Sequence, residues 1–249
     1  MTGRSVEWLH DLLRARHVDV VRFRPETHWL ARRWSLLQAW GVDLVVDVGA
    51  NDGEYATSLR RLGYRGRIVS FEPLPDAAAR LRDHHALDPR WTSHELGLGD
   101  VPGTAELHVA GNSASSSFLP MLASHEEHAP ESAFVGSTTV RIATLDELAD
   151  KVIADARRPF LKIDTQGYEQ RVLDGARRSI GRFVGIQLEL SIEPLYDGAP
   201  GYLEMLRTID ELGFVLMGIE PGFSDRKTGR MLQFDALAFR PPTDNGSNL

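Results

Sequence analysis

The chain has 249 residues, 42% hydrophobic and 25% charged, which fits one globular core with appendages. Its 28 Lys plus Arg against 35 Asp plus Glu give a formal net charge of −7, so nothing overall attracts it to nucleic acid or to an anionic membrane. The absence of cysteine excludes disulfides, thiolate nucleophiles, cysteine zinc sites and iron–sulfur clusters.

Apolar runs such as Leu44 to Val46 fall far below the roughly 18 residues that cross a bilayer, and Met1 to Asp11 has no signal-peptide core. The expectation is a cytoplasmic protein with no membrane partner. Trp8, Leu9, Leu12 and Leu13, then Trp29, Leu30, Trp34, Leu37 and Trp40, are spaced as amphipathic helices laid on a core, so residues 1–43 read as an N-terminal helical extension. Packing is the leading reading of these tryptophans; a substrate-facing cap or the contact surface of a homo-oligomer is the alternative.

From Asp43 short β-branched runs alternate with helical stretches, the rhythm of a parallel sheet with crossover helices. Strands are predicted at Leu44 to Val48, Arg67 to Phe71, Thr92 to Leu96 and Thr104 to Val109, with helices at Glu54 to Leu62 and Asp76 to His85. Gly111 to Ser137 loses periodicity and collects Ser, His, Glu and Pro, which predicts a long surface loop and a candidate lid. Val140 to Ile142 then leads to a helix at Leu145 to Ala156, a strand at Phe160 to Ile163, a helix at Tyr168 to Ser179, a strand at Phe183 to Leu190 and a helix at Tyr202 to Leu212. Phe214 to Ile219 and Leu232 to Phe239, separated by Pro221-Gly222 and Thr228-Gly229, predict a closing antiparallel hairpin. The whole is a doubly wound α/β domain over residues 44–240, with 241–249 read as a disordered tail.

Asp47-Val48-Gly49-Ala50-Asn51-Asp52-Gly53 links the first strand to its helix, where a glycine-rich turn brings backbone amides up to a ligand. Gly49 and Gly53 permit tight turning, and Asn51 is the residue type best able to replace glycine at positive φ. Glu72, 19 residues after Gly53 at the end of the second strand, stands near the ~20-residue spacing at which an acid reaches ribose hydroxyls. Asp47, Asp52 and Glu54 would repel a pyrophosphate and suit a ligand carrying an amine and a sulfonium, as S-adenosylmethionine does. A nicotinamide-dependent oxidoreductase is the competing enzyme, although the third glycine of its usual turn is missing; a non-catalytic S-adenosylmethionine-binding scaffold is the competing binding module.

DVGANDGEYA (Asp47 to Ala56), IVSFEPLP (Ile68 to Pro75), FLKIDTQGYEQRVLDGA (Phe160 to Ala176), IQLELSIEPLY (Ile186 to Tyr196) and the ending GFSDRKTGRMLQFDALAFR together resemble FkbM-type methyltransferases, a branch of the class I S-adenosylmethionine-dependent enzymes. The resemblance runs from about Val42 to Arg240. It implies a Rossmann-like, seven-stranded, mostly parallel sheet with a C-terminal antiparallel hairpin. It also implies O-methyl transfer, commonly to sugars, polysaccharide precursors or natural products. It makes Asp47, Gly49, Ala50, Asn51 and Gly53 the turn under the methionine part of the donor, Glu72 the ribose anchor, and Gly97 and Leu98 a wall for adenine. Ser113 to Leu119 matches a serine-rich family segment near donor or acceptor.

A hydroxyl acceptor must lose its proton, and a placed carboxylate or histidine contributes ~10²- to 10⁴-fold to such a step. Asp164, at the carboxyl end of the Phe160 to Ile163 strand, is the first candidate, and Glu189 the second. Asp164, Glu169 and Glu189 could together offer oxygen ligands to Mg²⁺, but no spacing as distinctive as H-E-x-x-H supports a metal, so none is assigned. His84 and His85 read as solvated, and His125 and His128 as loop residues that become bases only if the loop closes.

Overall fold

The computed structural model describes residues 11–241; Trp8, Leu9 and the predicted tail from residue 242 lie outside the described residues. Ten strands follow in order: β1 (Leu44–Val48), β2 (Arg67–Phe71), β3 (Trp91–His94), β4 (Gly97–Leu98), β5 (Gly103–Ala110), β6 (Phe134–Ala143), β7 (Pro159–Ile163), β8 (Gly185–Ser191), β9 (Val215–Pro221) and β10 (Gln233–Phe239). Between and before them lie α1 (Trp29–Ala39), α2 (Glu54–Arg61), α3 (Pro75–His85), α4 (Ala123–His128), α5 (Leu145–Ile153), α6 (Glu169–Asp174) and α7 (Tyr202–Glu211). Seven strands form one sheet in the order β3-β2-β1-β7-β8-β10-β9. Only β10 is reversed, antiparallel to both β8 and β9. This is the doubly wound, hairpin-closed α/β sheet that the sequence predicts.

Side-chain alternation divides the sheet into two faces. Val46, Leu161, Ile186 and Leu188 pack under α5, α6 and α7, whereas Val45, Ile68, Phe160 and Leu237 pack under α1, α2 and α3. On the second face the apolar layer gives way toward the carboxyl ends of the strands. Ser70, Asp47, Lys162 and Gln187 are register partners across β2, β1, β7 and β8, so they stand in one polar row. Such a row is costly inside a core and stable only where its members satisfy one another.

Two predicted elements differ. The helix expected over Tyr168 to Ser179 stops as α6 at Asp174: from its cap Gly175 the bonds shorten to three-residue steps, Ala176 amide to Leu173 carbonyl at 3.0 Å and Ser179 amide to Ala176 carbonyl at 2.9 Å, and a 3₁₀ turn follows at Ile180–Arg182. The expected loop over Gly111 to Ser137 contains α4, a 3₁₀ turn at Pro130–Ser132 and the first residues of β6. β6 pairs with β4 and β5 in a separate three-stranded sheet. In its outer half Val135, Gly136 and Ser137 are all exposed, so no alternation of burial marks it as a strand. Within the extension, α1 seats Leu37, Trp34 and Trp40 on the second face. No helix among the described residues is long and apolar enough to cross a membrane.

Candidate active site

The chain leaves β1 into a turn where Gly49, Asn51 and Gly53 all have positive φ, at 72°, 46° and 92°. The Gly49 and Ala50 amides each donate to the Phe71 carbonyl at 3.0 Å, and the Asp164 amide donates to the Val48 carbonyl at 3.0 Å. The ends of β1, β2 and β7 are thereby drawn together. A Cβ on Gly49 would overlap the Asp164 carbonyl oxygen, so this approach requires glycine. Glu72 folds back over the turn: Oε2 accepts from the Asn51 amide at 2.7 Å and Oε1 from the Leu74 amide at 2.8 Å. Burial pushes its carboxyl up to about 7, against the opposing pull of those two amides.

A cavity of about 320 Å³ opens along this edge of the sheet. Of the residues that the sequence assigns to donor or acceptor, Gly49, Ala50, Asn51, Glu72, Gly97, Leu98 and Asp164 line it. The serine-rich segment supplies a further wall through Ser113, Ser116 and Phe118, and Ser113 Oγ donates to Asn51 Oδ1 at 3.1 Å.

Three predicted site residues stand outside the lining. Asp47 is fully buried beneath the turn, 3.2 Å from Lys162 Nζ. Gly53 begins α2 with its Cα turned to Leu81 and Trp91 in the core, so it shapes the turn from behind. The Glu189 carboxylate accepts from the side-chain amides of Gln166 at 2.7 Å and Gln233 at 2.8 Å. Its burial, together with the nearby Asp164 and Asp235, raises its pKa well above the usual carboxylate range.

Glu169 turns to its own loop, accepting from the amides of Thr165 at 2.8 Å and Gly167 at 3.2 Å, and burial pushes it up to about 7. Asp164, Glu169 and Glu189 therefore do not converge. Among the described residues no group of three or more His, Asp or Glu side chains is placed to hold a metal ion. His125, expected on the loop surface, is buried edge-on against the Tyr196 ring at 5.2 Å, and His128 lies 3.7 Å from Asp225. Neither lines the cavity. His84 is exposed, while His85 is partly buried, 2.8 Å from Ser93 Oγ.

The structure adds residues that the sequence reading passed over. Lys162 lies in the wall with its ammonium between Asp47 at 3.2 Å and Asp164 at 3.5 Å, donating to the Gly49 carbonyl at 3.1 Å. Burial works against that charge, but the two carboxylates outweigh it and hold the ammonium above its ordinary range. Gln166, at φ 55°, donates from Nε2 to Asp164 at 2.9 Å and to Glu189 at 2.7 Å. Arg33 reaches the cavity from α1, Tyr55 from α2, and Gln187 and Asp235 from β8 and β10, and they are joined by Trp29 of α1, one of the tryptophans for which a substrate-facing cap is the alternative to packing. The available signal was a polar residue at the same alternation in each largely apolar strand: Asp47, Ser70, Lys162, Gln187 and Asp235.

Residues 47–216 match the model of the methyltransferase FkbM domain. A stretch of 161 residues is 26% identical to 2-O-methyltransferase NoeI from Sinorhizobium fredii (strain NBRC 101917 / NGR234), covering 62% of this chain and 66% of that protein. The crystal structure of methyltransferase FkbM from Methylobacillus flagellatus KT shares the fold, with a TM-score of 0.50 and 19% identity over 79% of this chain and 43% of that one. The chain thus spans about two thirds of the length of the first relative and less than half of the second. With the match extending from the glycine-rich turn to the start of the closing hairpin, the chain belongs to the FkbM family of methyltransferases.

Proposed function

We propose that this methyltransferase takes its methyl group from S-adenosylmethionine and delivers it to a hydroxyl oxygen of a small acceptor: a sugar, a glycosylated natural product or a polysaccharide precursor. The observation that carries the donor assignment is the buried Glu72 carboxylate clasped to the Asn51 amide over the Gly49 turn. A carboxylate has about four lone-pair sites, and two amides occupy two of them, which leaves one on each oxygen for a ribose hydroxyl. Gly97, Leu98 and Phe118 add an apolar wall suited to adenine. The acids around the turn suit a cationic donor and oppose a pyrophosphate, and the FkbM match disfavours a nicotinamide-dependent oxidoreductase. The name of the 2-O-methyltransferase relative supports oxygen as the receiving atom.

The bound donor would supply a methyl group made electrophilic by its sulfonium. The chain's own work is to align the acceptor oxygen and exclude water. Asp164 lines the cavity with Oδ1 held by Gln166 and Oδ2 beside Lys162, in position to take the acceptor's hydroxyl proton. Glu189, behind Gln166, orients that amide.

Calorimetric titration with S-adenosylhomocysteine tests the donor, with saturable binding expected and weakening in Glu72→Ala. Incubation with isotopically labelled donor and fractionated lysate metabolites tests turnover, with label expected on a hydroxyl of a glycosidic compound. Absence of binding overturns the donor assignment; binding without transfer to any fraction returns the protein to a non-catalytic role.

A further inference from the structure

The cavity continues past Asp164 toward the hairpin, and its far end is made by residues that the donor reading leaves unused. Strand order puts β8 and then β10 beyond β7, so Gln187 and Asp235 line the wall progressively farther from Gly49 and Glu72. α1 closes this end from above with Trp29 and Arg33.

The cations there are already matched, whereas two carboxylates are not: Asp235 in the wall and its register partner Glu189 behind it, which is held by two side-chain amides. The Arg33 guanidinium grips Glu220 with both prongs, Nε to Oε1 at 2.9 Å and Nη2 to Oε2, and its centre stacks 4.6 Å from the Tyr55 ring. Lys162 is engaged by Asp47 and Asp164. The Tyr55 hydroxyl donates to Gln187 Oε1 at 2.9 Å, which leaves the Gln187 amide nitrogen for Asp235. Asp235 has no cationic partner among the described ion pairs, and burial followed by the nearby Asp164 pushes its carboxyl up to about 6.

Two interstrand spacings separate the strands of Asp164 and Asp235, about 10 Å in all. That gap takes one six-membered ring with its substituents. A surplus carboxylate repels an anionic acceptor, while the Arg33 and Lys162 cations in the wall oppose a cationic one. Hydroxyls, which both donate and accept, suit the mixed row of Asp, Gln and Arg. Trp29, 37% exposed at the mouth, offers an apolar platform for the C–H face of such a ring.

We propose that the acceptor subsite lies over β8 between Asp164 and Asp235 and takes a neutral polyhydroxylated ring, with one hydroxyl on Asp164, a second on Asp235, and Trp29 of α1 covering its face. This rests on the donor reading above, which assigns the opposite end of the cavity to the adenosyl group.

The test is saturation-transfer NMR on the full chain with S-adenosylhomocysteine present, using methyl glycosides of neutral hexoses and pentoses beside the corresponding uronic acid and amino-sugar glycosides. Transfer to at least one neutral glycoside is expected, with its dissociation constant raised about tenfold in Asp235→Asn and in Trp29→Ala, as the loss of one charge-assisted hydrogen bond or one aromatic contact predicts. In both variants S-adenosylhomocysteine binds within about twofold of the parent, the margin set by a wall that does not touch it. No neutral glycoside binding while S-adenosylhomocysteine binds, preference for the acid or the amine, or binding unchanged in both variants overturns the subsite. A variant that also loses S-adenosylhomocysteine places its residue in the donor end and overturns it too. Failure of the parent chain to bind S-adenosylhomocysteine instead overturns the donor reading beneath it.

Discussion

Gln166 donates through Nε2 to Asp164 Oδ1 at 2.9 Å, and the same nitrogen reaches Glu189 Oε2 at 2.7 Å. The amide's other end is used as well, its Oε1 facing the Tyr196 hydroxyl at 2.9 Å. The Gln166 carbonyl in turn accepts from Ser117 Oγ at 2.7 Å. One side chain thus keeps two carboxylates apart and ties them to the serine-rich wall. Gln166→Ala should lower the rate of label transfer by ~10²-fold while leaving S-adenosylhomocysteine affinity within about twofold, the pattern of lost positioning. With the amide gone the two acids repel directly, so the acidic limb of the rate–pH profile moves upward. An unchanged limb would reduce Gln166 to packing.

Lys162 and Asp47 form a second pair whose value differs from its cost of rupture. Both are buried, and their 3.2 Å contact sits beneath the turn. Lys162→Met leaves Asp47 without its cation and should destabilise the fold by about 3–5 kcal/mol, whereas Lys162→Met with Asp47→Asn should recover most of that loss. Denaturant melts of the two single variants and the double variant measure the coupling; additive losses would mean that the ion pair is incidental.

The frame was legible because its signals are local. β1 and β2 fall where their β-branched runs predict, and Asn51 takes the positive φ that its side chain tolerates. Glu72 and the turn could be matched by spacing alone. Lys162, Gln187 and Asp235 could not, since each is a polar residue in a largely apolar strand and acquires meaning only when register sets Lys162 beside Asp47, Gln187 beside Lys162 and Asp235 beside Glu189. Arg33 gives no local signal, because its partner Glu220 lies 187 residues away. His125 misled for the converse reason: a short polar helix gives no hint that the Tyr196 ring covers it.

Gly49 and Gly41 separate two contributions that glycine makes. Both have positive φ, 72° and 62°, but a side chain at Gly41 would meet nothing within 4 Å, while one at Gly49 would strike the Asp164 carbonyl. Gly41→Ala should cost only the left-handed backbone, roughly 1–2 kcal/mol. Gly49→Ala should cost about 3 kcal/mol or more and abolish S-adenosylhomocysteine binding, because β1 and β7 must separate. Equal thermal melting points for the two variants would contradict this packing of the turn.

Glu72 makes donor binding and stability respond oppositely to pH. A glutamate in the unfolded chain titrates near ~4.3, whereas burial holds Glu72 at about 7 in the fold. Between those values the folded chain binds more protons than the unfolded one, so stability falls as pH rises through the window. Glu169 at about 7 and Asp235 at about 6 act with the same sign. The chain without donor should therefore melt at a lower temperature at about pH 8 than at about pH 5, with Glu72→Gln flattening part of the slope. S-adenosylhomocysteine, whose ribose hydroxyls donate to the ionised carboxylate, should bind more tightly as pH rises through about 7. Glu72→Gln should weaken it about tenfold at the higher pH and remove the dependence, since its amide offers one acceptor oxygen that never ionises. Calorimetry at several pH values on parent and variant decides the point, and a titration slope that survives in Glu72→Gln would assign the proton to another group.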